Sequence, residues 1–517
     1  MMKTATLTLK KAPKQAPTQA NNTAKQPQKQ VDVLIIGGGI SGLSTAWWLA
    51  QKGIRVQVWE KSNHAGGKIK THHHNGFETE QAASMIMNFK PEVDQFFAHS
   101  GLDHYKAKRL LSSENNRYLI HNAQLQALPM SIARLFFSPM WSHKGKLRLL
   151  LEPFIGRSTK QNETVSDFII RRFGDEFLEK AMEPFIAGTL ASDPDLACAE
   201  QVIPRLTALE KKFGSISAGI VAHKIMGKRT ARNPDSFSFT NGMQTLPEFL
   251  ANEPNIHFQR NRDVCQLIHH THQKTKHWEI HAQGSHGEVS CQAQHVVLAS
   301  PASSAAQLIE PLNPSLSQLL NGIEYASLSV VHIGLNRSAI KHSLDGAGFL
   351  VPRQEQQSGK IQINGNLWMS SLFAHKAPEN TVLLSSYLGG ARHPQAIHLS
   401  TQESIDTVLH DISPLIGLKA ETNPIMGRLD KHPRALPLYH GHYQQRLSEI
   451  KQQLHTLPGL HLSANYKGGV SVRDRISCAK ETADMIHKQL SQTKNHCEVP
   501  QDCTTTFLSQ SVLERLA

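Results

Sequence analysis

Residues 31–42 read VDVLIIGGGISG, and this stretch decides how the rest of the chain is interpreted. It opens with a nearly continuous apolar run, which is typical of a strand buried on both faces of a sheet. Gly37, Gly39 and Gly42 follow with the spacing GxGxxG, at the opening of a helical pattern. A second apolar run, IRVQVWE, occupies residues 54–60. The pattern predicts a βαβ unit at the start of a doubly wound sheet.

The spacing of these residues predicts a dinucleotide site, because each has a separate task. Gly37 permits a tight turn, Gly39 lets the backbone approach a pyrophosphate, and Gly42 allows close packing of the helix. The helix N-terminus favours an anion, and Glu60 at the end of the second strand can accept hydrogen bonds from ribose hydroxyls. The required context of strand, turn and helix is present around the motif.

The segment GGKIKT at residues 66–71 narrows the choice of dinucleotide. It resembles the GG[KR]x[KR]T segment with which the flavin amine oxidase superfamily continues its FAD site. The resemblance implies FAD, whereas a nicotinamide dehydrogenase has no need of this second pair of glycines. The residues that we expect to bind FAD are Gly37, Gly39, Ile40, Ser41, Gly42, Glu60, Lys61, Gly66, Gly67, Lys68, Val264, Asn465, Val470 and Val472.

A set of further segments, in order along residues 31–490, resembles one family within that superfamily, the protoporphyrinogen oxidases. The clearest are TVSDFIIRRFG (164–174), EPFIAGTLASDP (183–194), SFTNGMQTL (238–246), YLGGAR (387–392), ALPLYHGH (435–442) and LSANYKGGVSVRDRI (462–476). Because the matches are colinear over nearly the whole chain, they are more specific than any single motif. By the same family match, Val470 and Val472 should lie against the flavin.

The chain also departs from the family pattern. Family members usually carry ExGP after the hairpin that binds FAD, whereas this chain has Glu80, Gln81, Ala82 and Ala83. At the C-terminal motif the departures are Ala464 and Ala479 for glycine and Arg475 for cysteine. Side chains at such positions narrow the approach of the backbone to the cofactor. We expect FAD still to bind, since a methyl group is the smallest possible intrusion.

The strand pattern and the resemblance predict an α/β fold. Its expected parts are a doubly wound Rossmann-type FAD-binding domain, a mixed-sheet substrate domain and a helical subdomain. The nucleotide domain opens near one end of the chain and closes near the other, so it is discontinuous. The expected order is a disordered basic tail (1–30), FAD domain (31–110), helical substrate and membrane-contacting domain (111–235), FAD domain (236–310), substrate domain (311–454), FAD domain (455–493) and a second tail (494–517).

The resemblance implies oxidation of protoporphyrinogen IX to protoporphyrin IX in haem biosynthesis, with oxygen as the acceptor. The flavin supplies the chemistry, so no catalytic side chain is assigned. A flat apolar substrate with two propionates needs an apolar slot with cations at its rim. The candidates for the slot are Phe349, Leu350, Leu372 and Phe373, and those for the cations are Lys90, Arg392 and Arg434.

Composition limits the remaining possibilities. The net charge of +13 suits an anionic ligand, an anionic membrane surface or nucleic acid about equally, and the motifs give no reason to expect nucleic acid. Six cysteines without a CxxC pair favour a reducing cytoplasm, and no spacing of the thirty histidines predicts a metal site. No run of about twenty apolar residues occurs, so nothing is expected to span a bilayer. Dimerisation stays open.

Residues 129–151 mix bulky apolar side chains with Lys and Arg. The family sits on membranes through this part of the chain, so we expect peripheral contact, at the inner face of the cell membrane for a cytoplasmic protein. An amphipathic core helix is the competing interpretation.

Three other functions are left open. An amine oxidase or polyene desaturase shares the N-terminal FAD pattern but not the later segments. A flavin-bound protein without activity would explain the lost glycines. Oxidation of coproporphyrinogen III differs only in a substrate with four propionates.

Overall fold

The computed structural model describes residues 29–114, 116–128, 137–138, 140–158, 160, 162–225, 235–271 and 277–497. The tails predicted for residues 1–30 and 494–517 therefore lie mostly outside the described residues. The first strand begins at Lys29, two residues before the predicted start of order.

The strands of the described residues, in chain order, are β1 (Lys29–Ile36), β2 (Val56–Trp59), β3 (Thr71–His74), β4 (Phe77–Glu80), β5 (Ile86–Asn88), β6 (Lys106–Lys108), β7 (Asn116–His121), β8 (Gln124–Ala127), β9 (Asp235–Phe239), β10 (Ile256–Gln259), β11 (Arg262–His270), β12 (His277–Gly284), β13 (Gly287–Leu298), β14 (Tyr325–Asn336), β15 (Gly346–Leu350), β16 (Gly365–Trp368), β17 (Thr381–Gly389), β18 (Met426–Pro437) and β19 (Leu460–Leu462).

The α-helices of the same residues are α1 (Ile40–Ala50), α2 (Pro91–Ser100), α3 (His143–Leu150), α4 (Val165–Phe173), α5 (Asp175–Phe177), α6 (Glu183–Leu190), α7 (Ala199–Val202), α8 (Pro204–Phe213), α9 (Ile216–Ile225), α10 (Thr245–Ala251), α11 (Ala302–Ile309), α12 (Pro314–Asn321), α13 (Arg353–Gln357), α14 (Met369–Leu372), α15 (Thr401–Ile416), α16 (Tyr443–Leu454) and α17 (Val472–Cys497). Single 3-10 turns and one π turn, Leu178–Met182, connect some of them.

The first large sheet has the order β10-β2-β1-β13-β12-β11, and β19 pairs with β13. Its strands β10, β2, β1, β13 and β19 run parallel, β12 pairs antiparallel with β13, and β11 at the edge pairs antiparallel with β12. Helices α1 and α17 pack together on one side of it, in an apolar cluster that includes Trp47, Trp48 and Ile486. The sheet confirms the predicted Rossmann-type fold, which the chain assembles from three separated segments.

The second large sheet has the order β18-β14-β17-β16-β15-β7-β8. It is mixed, because β15 and β7 run parallel while the other pairs are antiparallel. Helix α15 covers one face through Val408 and Ile412. The other face lies toward α6 of the mainly helical region 143–225, since a β-carbon built on Gly188 would meet the side chain of Leu350. The described helices include none that is long and apolar enough to cross a bilayer.

Candidate functional site

The glycine-rich turn lies at the carboxyl end of β1, where the chain turns into α1. Gly37 has a φ of +111°, and its N–H donates to the carbonyl of Trp59 at 2.8 Å. A β-carbon on Gly42 would lie 2.0 Å from the carbonyl oxygen of Gly37, so only glycine fits there. These two glycines are required by the protein's own backbone.

Gly39 is different, because a β-carbon built on it would meet no atom within 4 Å. It is the N-cap of α1, where no side chain accepts a hydrogen bond from the helix and no acidic residue occupies the first turn. The N–H groups at the start of a helix need an acceptor, and the helix dipole favours a negative one. Open space beside uncapped donors at Gly39, Ile40 and Ser41 fits the pyrophosphate of FAD.

The carboxylate of Glu60 is held by the glycine-rich turn and by the residues that follow it. Its Oε2 accepts the N–H of Gly38 at 2.6 Å, and its Oε1 accepts the N–H and hydroxyl of Ser62, each at 2.8 Å. A carboxylate has about four acceptor positions, so capacity for ribose hydroxyls remains. The next residue, Lys61, forms an exposed ion pair with Asp263 at 2.9 Å.

Val264 joins this group through backbone pairing. The N–H of Arg262 donates to the carbonyl of Glu60 at 2.8 Å, and the N–H of Asn261 donates to that of Ser62 at 3.1 Å. Val264 follows in β11, next to a break in the strand register. The predicted contacts Glu60, Lys61 and Val264 therefore lie together although 200 residues of sequence separate them.

The second glycine pair packs directly against the first turn. The N–H of Gly66 donates to the carbonyl of Gly38 at 2.8 Å, and a β-carbon on Gly67 would lie 3.3 Å from the α-carbon of Gly39. Lys68 points elsewhere, because its ammonium donates to the carbonyls of Arg434 and Ala435 on β18. Burial lowers the pKa of Lys68 to about 8. These contacts join the segment 66–71 to the second sheet.

The C-terminal motif reaches the same site from the far end of the chain. The hydroxyls of Thr45 in α1 and Ser463 are 3.0 Å apart, and the indole N–H of Trp48 donates to the carbonyl of Ile476 at 3.2 Å. The carbonyl of Asn465 accepts the hydroxyl of Tyr439 at 2.9 Å. The other two predicted contacts, Val470 and Val472, are partly or fully buried beside this segment.

The replaced residues of the C-terminal motif are accommodated inside the protein. Ala464 and Ala479 are buried, and Arg475 has only 2% of its surface exposed. Its guanidinium donates to the carbonyls of Ala464 and Lys467, so it holds the loop that contains Asn465. In the other altered segment, the imidazole of His432 contacts the carbonyl of Gln81 at 2.7 Å. Polar side chains thus fix both altered segments.

The residues predicted for an apolar slot do not share one surface. Phe349 belongs to the cluster under α15, on the opposite face of the sheet from its neighbour Leu350. Leu372 and Phe373 are buried in a separate cluster with Phe77. Of the four, Leu350 alone lies on the face of the second sheet that is turned toward α6. Successive side chains of a strand point to opposite faces of the sheet, which is why Phe349 and Leu350 of β15 are separated.

A row of side chains on this face crosses five neighbouring strands and was not recognised from the sequence. Backbone pairing aligns Leu119 with Leu350, Leu350 with Gly365, Gly365 with Tyr387, and Tyr387 with Val330. Directly paired residues point to the same face of a sheet. The row therefore presents three aliphatic side chains and one phenol, and Leu350 packs over Gly365, which has no side chain of its own.

A cation at the edge of this face was also missed. Arg117 is two residues before Leu119 on β7, so it lies on the same face, and it is exposed. Burial, and then the charge of the nearby Arg117, lowers the pKa of Arg109. The period of two in NRYLIH, with Tyr118 and Ile120 in the core, was the signal that could have identified it.

The cations that the sequence predicted for the rim have internal partners. Arg392 contacts the carboxylate of Glu183, the carbonyl of Val351 and the side chain of Gln356, and burial lowers its pKa to about 10. These contacts indicate a structural role for Arg392. Arg434 is exposed and donates to the hydroxyl of Ser303 at the start of α11, beside the cofactor site. The backbone carbonyl of Arg434 also accepts the ammonium of Lys68, from the second glycine segment.

The family model described as flavin containing amine oxidoreductase matches residues 40–486. The chain belongs to this family. FAD is accordingly its cofactor, and the site around Gly39 fits that cofactor. Members of the flavin containing amine oxidoreductase family oxidise their substrates through the flavin, so this chain is an FAD-dependent oxidoreductase.

Curated relatives within the family narrow the comparison. Protoporphyrinogen oxidase 2 of Arabidopsis thaliana is 29% identical over 90% of this chain and 95% of its own length. Coproporphyrinogen III oxidase of Bacillus subtilis strain 168 is 25% identical over 87% and 96%. A crystal structure from Exiguobacterium sp. 255-15, provisionally named a protoporphyrinogen oxidase, has a TM-score of 0.71 at 19% identity, covering 90% of this chain and 100% of that one. The resemblance to protoporphyrinogen oxidases is confirmed.

Metal-binding side chains do not cluster in the described residues, where no group of three or more His, Cys, Asp or Glu could hold an ion. Among the described residues, Cys198, Cys265, Cys291 and Cys478 form no disulfide.

Proposed function

We propose that this chain oxidises protoporphyrinogen IX to protoporphyrin IX, with oxygen as the final acceptor. The observation that carries the proposal is the colinear similarity, over about nine tenths of the chain, to relatives named as porphyrinogen oxidases. The alternative substrate, coproporphyrinogen III, is supported by the similarity to the coproporphyrinogen III oxidase of Bacillus subtilis. Both macrocycles are largely apolar and carry carboxylates at their edge.

The row of side chains on the second sheet suits such a ring. Val330, Leu119 and Leu350 supply an apolar floor. Tyr387 contributes an aromatic ring, and burial raises the pKa of its hydroxyl, so the side chain stays neutral. Arg117 at the edge of the row can pair with a propionate by charge-assisted hydrogen bonds. Apolar lining with few polar groups is the usual composition of a site for a small organic ligand.

When bound, FAD accepts the hydride equivalents that the porphyrinogen gives up. The chain's own residues perform the remaining tasks. Gly39 and the first turn of α1 bind the pyrophosphate, Glu60 orients the ribose, and the apolar row excludes water from the ring.

The test is oxidation by the purified protein in air. The preparation should show the absorbance of an oxidised flavin. Porphyrin fluorescence should rise faster than the spontaneous rate with protoporphyrinogen IX, and hydrogen peroxide should accumulate. Coproporphyrinogen III is offered in parallel, and a faster reaction with it would assign that substrate instead. Flavin without enhanced oxidation of either ring would refute the proposal.

We also propose peripheral contact with the inner face of the cell membrane through the helical region. Helix α3 has no buried residue and combines exposed Leu147 and Leu150 with Lys144, Lys146 and Arg148. Phe154 and Ile225 are also exposed, at 84% and 79%. Large exposed apolar side chains beside cations suit an anionic lipid surface. Sedimentation with anionic liposomes tests this, and full recovery in the supernatant would refute it.

A further inference from the structure

Phe89 lies between two arginine side chains that come from different parts of the chain. The guanidinium carbon of Arg205 is 3.5 Å from the centre of the ring, and that of Arg473 is 4.0 Å from it. Arg205 begins α8 in the helical region, and Arg473 belongs to the first turn of α17. The ring therefore joins the helical region to the C-terminal helix of the FAD-binding fold.

The charges around this ring do not balance. Asp474 is the carboxylate of the group, and it pairs with Lys90 at 3.2 Å and with Arg473 at 3.3 Å. Arg205 has no carboxylate within 4 Å among the residues that the structure describes. Three cations and one anion leave a local charge of +2. The pKa of Arg205 is lowered by burial and by the nearby charge of Arg473.

Stacking on an aromatic ring uses the face of a guanidinium and leaves its N–H groups available in the plane. One N–H group of the Arg473 guanidinium donates to the carbonyl of Met87 at 2.6 Å. Arg205 is exposed, so its donors face solvent, and they have no acceptor among the described residues. Two like charges held on opposite sides of one ring repel each other, and a bound anion would remove that repulsion.

The position of the group matters as much as its charge. Arg473 directly follows Val472, a residue that the family match sets against the flavin. Phe89 and Lys90 follow β5, shortly after the altered segment that begins at Glu80. The cationic group is therefore close to the cofactor site, where the helical region meets it.

We propose that Arg205 and Arg473, stacked on Phe89 with Lys90 beside them, form a binding site for a carboxylate side chain of the substrate. This inference rests on the proposed function and deepens it, because a porphyrinogen carries propionates. Arg205 supplies the free donors, and Arg473 fixes the ring on which Arg205 stacks.

The experiment measures the binding of oxidised porphyrins by their fluorescence anisotropy, together with steady-state kinetics. The ligands are protoporphyrin IX, coproporphyrin III and their methyl esters, which lack the carboxylates. Arg205→Ala should weaken binding of the free acids about tenfold and raise KM to a similar extent, because a charge-assisted contact is lost. Binding of the esters and kcat should change less than twofold. Arg205→Lys should fall between the wild type and Arg205→Ala.

The matched control is Lys212→Ala. Lys212 is an exposed cation on the same helix and lies 5.2 Å from the ring of Phe213. Its removal changes the net charge equally and should leave the affinity for the acids unchanged. If Arg205→Ala behaves like this control, or lowers only the melting temperature, the stacked group is a structural link and the inference is wrong.

The outcome for the proposed function is read separately. If the wild type oxidises no porphyrinogen yet binds the acids more tightly than the esters through Arg205, the proposed function fails and the carboxylate site stands. If the wild type oxidises a porphyrinogen and Arg205→Ala matches the control, the carboxylate site alone fails.

Discussion

The two kinds of glycine in the turn after β1 make different demands on a side chain. Gly42 is confined by the carbonyl of Gly37, whereas Gly39 faces open space and has an ordinary φ of −72°. Space that the protein leaves empty beside helix donors is space for a ligand. The two positions can therefore separate folding from cofactor binding.

We predict that Gly39→Ala lowers the affinity of the apoprotein for FAD at least about tenfold and leaves its stability within about 1 kcal/mol. Gly42→Ala should instead destabilise the apoprotein by about 1–3 kcal/mol, because the methyl group meets backbone. Quenching of flavin fluorescence gives the affinity, and urea unfolding gives the stability. Unchanged FAD binding by Gly39→Ala would show that the open space is not the cofactor's.

At the scale of elements, strands β13 and β19 are joined by two buried imidazoles as well as by their backbones. Nδ1 of His295 and Nε2 of His461 are 3.1 Å apart. Burial lowers the pKa of His295 to about 4. Burial, and then the charge of His295, lowers the pKa of His461 to about 3. Both rings are neutral in the folded protein.

This pair should make the folded state sensitive to acid. In the unfolded chain the imidazoles have a pKa near 6.5, so between about pH 6.5 and 4 they bind protons that the folded protein does not bind. The free energy of unfolding therefore falls as the pH drops through this range. The loss approaches about 1.4 kcal/mol per pH unit for each ring. Urea unfolding at pH 7, 6 and 5 measures it.

The double substitution of Gln for His295 and His461 should make the free energy of unfolding fall less steeply with pH than in the wild type, and parallel curves for variant and wild type would contradict the assignment. His332, whose pKa burial also lowers to about 4, is present in both proteins and cancels from the comparison.

The elements also show why some features could be predicted and others could not. The glycine turn and its helix are local, so the order of residues 31–42 contains the whole signal. The apolar row joins Leu119, Leu350 and Tyr387, and their alignment depends on pairing between strands more than 200 residues apart. Arg392 was predicted to bind substrate, whereas its partner Glu183 lies in another motif. A single sequence does not contain those pairings.

For the whole molecule, the contact between Glu183 and Arg392 is a link between the helical region and the second sheet. Glu183 opens α6 and is 1% exposed, and the backbone N–H of Arg353 also donates to it at 3.0 Å. Without Arg392, the buried carboxylate of Glu183 would keep only the more distant guanidinium of Arg353, whose Nε is 3.8 Å away, so most of its charge would be uncompensated.

Arg392→Met should therefore lower the free energy of unfolding by about 3–5 kcal/mol, and the added change Glu183→Gln should recover much of the loss. Denaturant unfolding of the single and double variants measures both effects. A substrate-binding role for Arg392 predicts the opposite pattern, with a raised KM at unchanged stability.

The first sheet takes its strands from residues 29–59, 256–298 and 460–462. During translation, β1 and its glycine turn leave the ribosome roughly 400 residues before β19 does, which at about 5–20 residues per second is on the order of tens of seconds. From the synthesis of β13, which ends at Leu298, until that of β19, the nascent chain holds an apolar sheet edge that its final strand has not yet covered. The cell must therefore keep a half-built flavin site from aggregating, and a chain truncated before residue 460 should reach the ribosome's exit without ever becoming able to retain its cofactor.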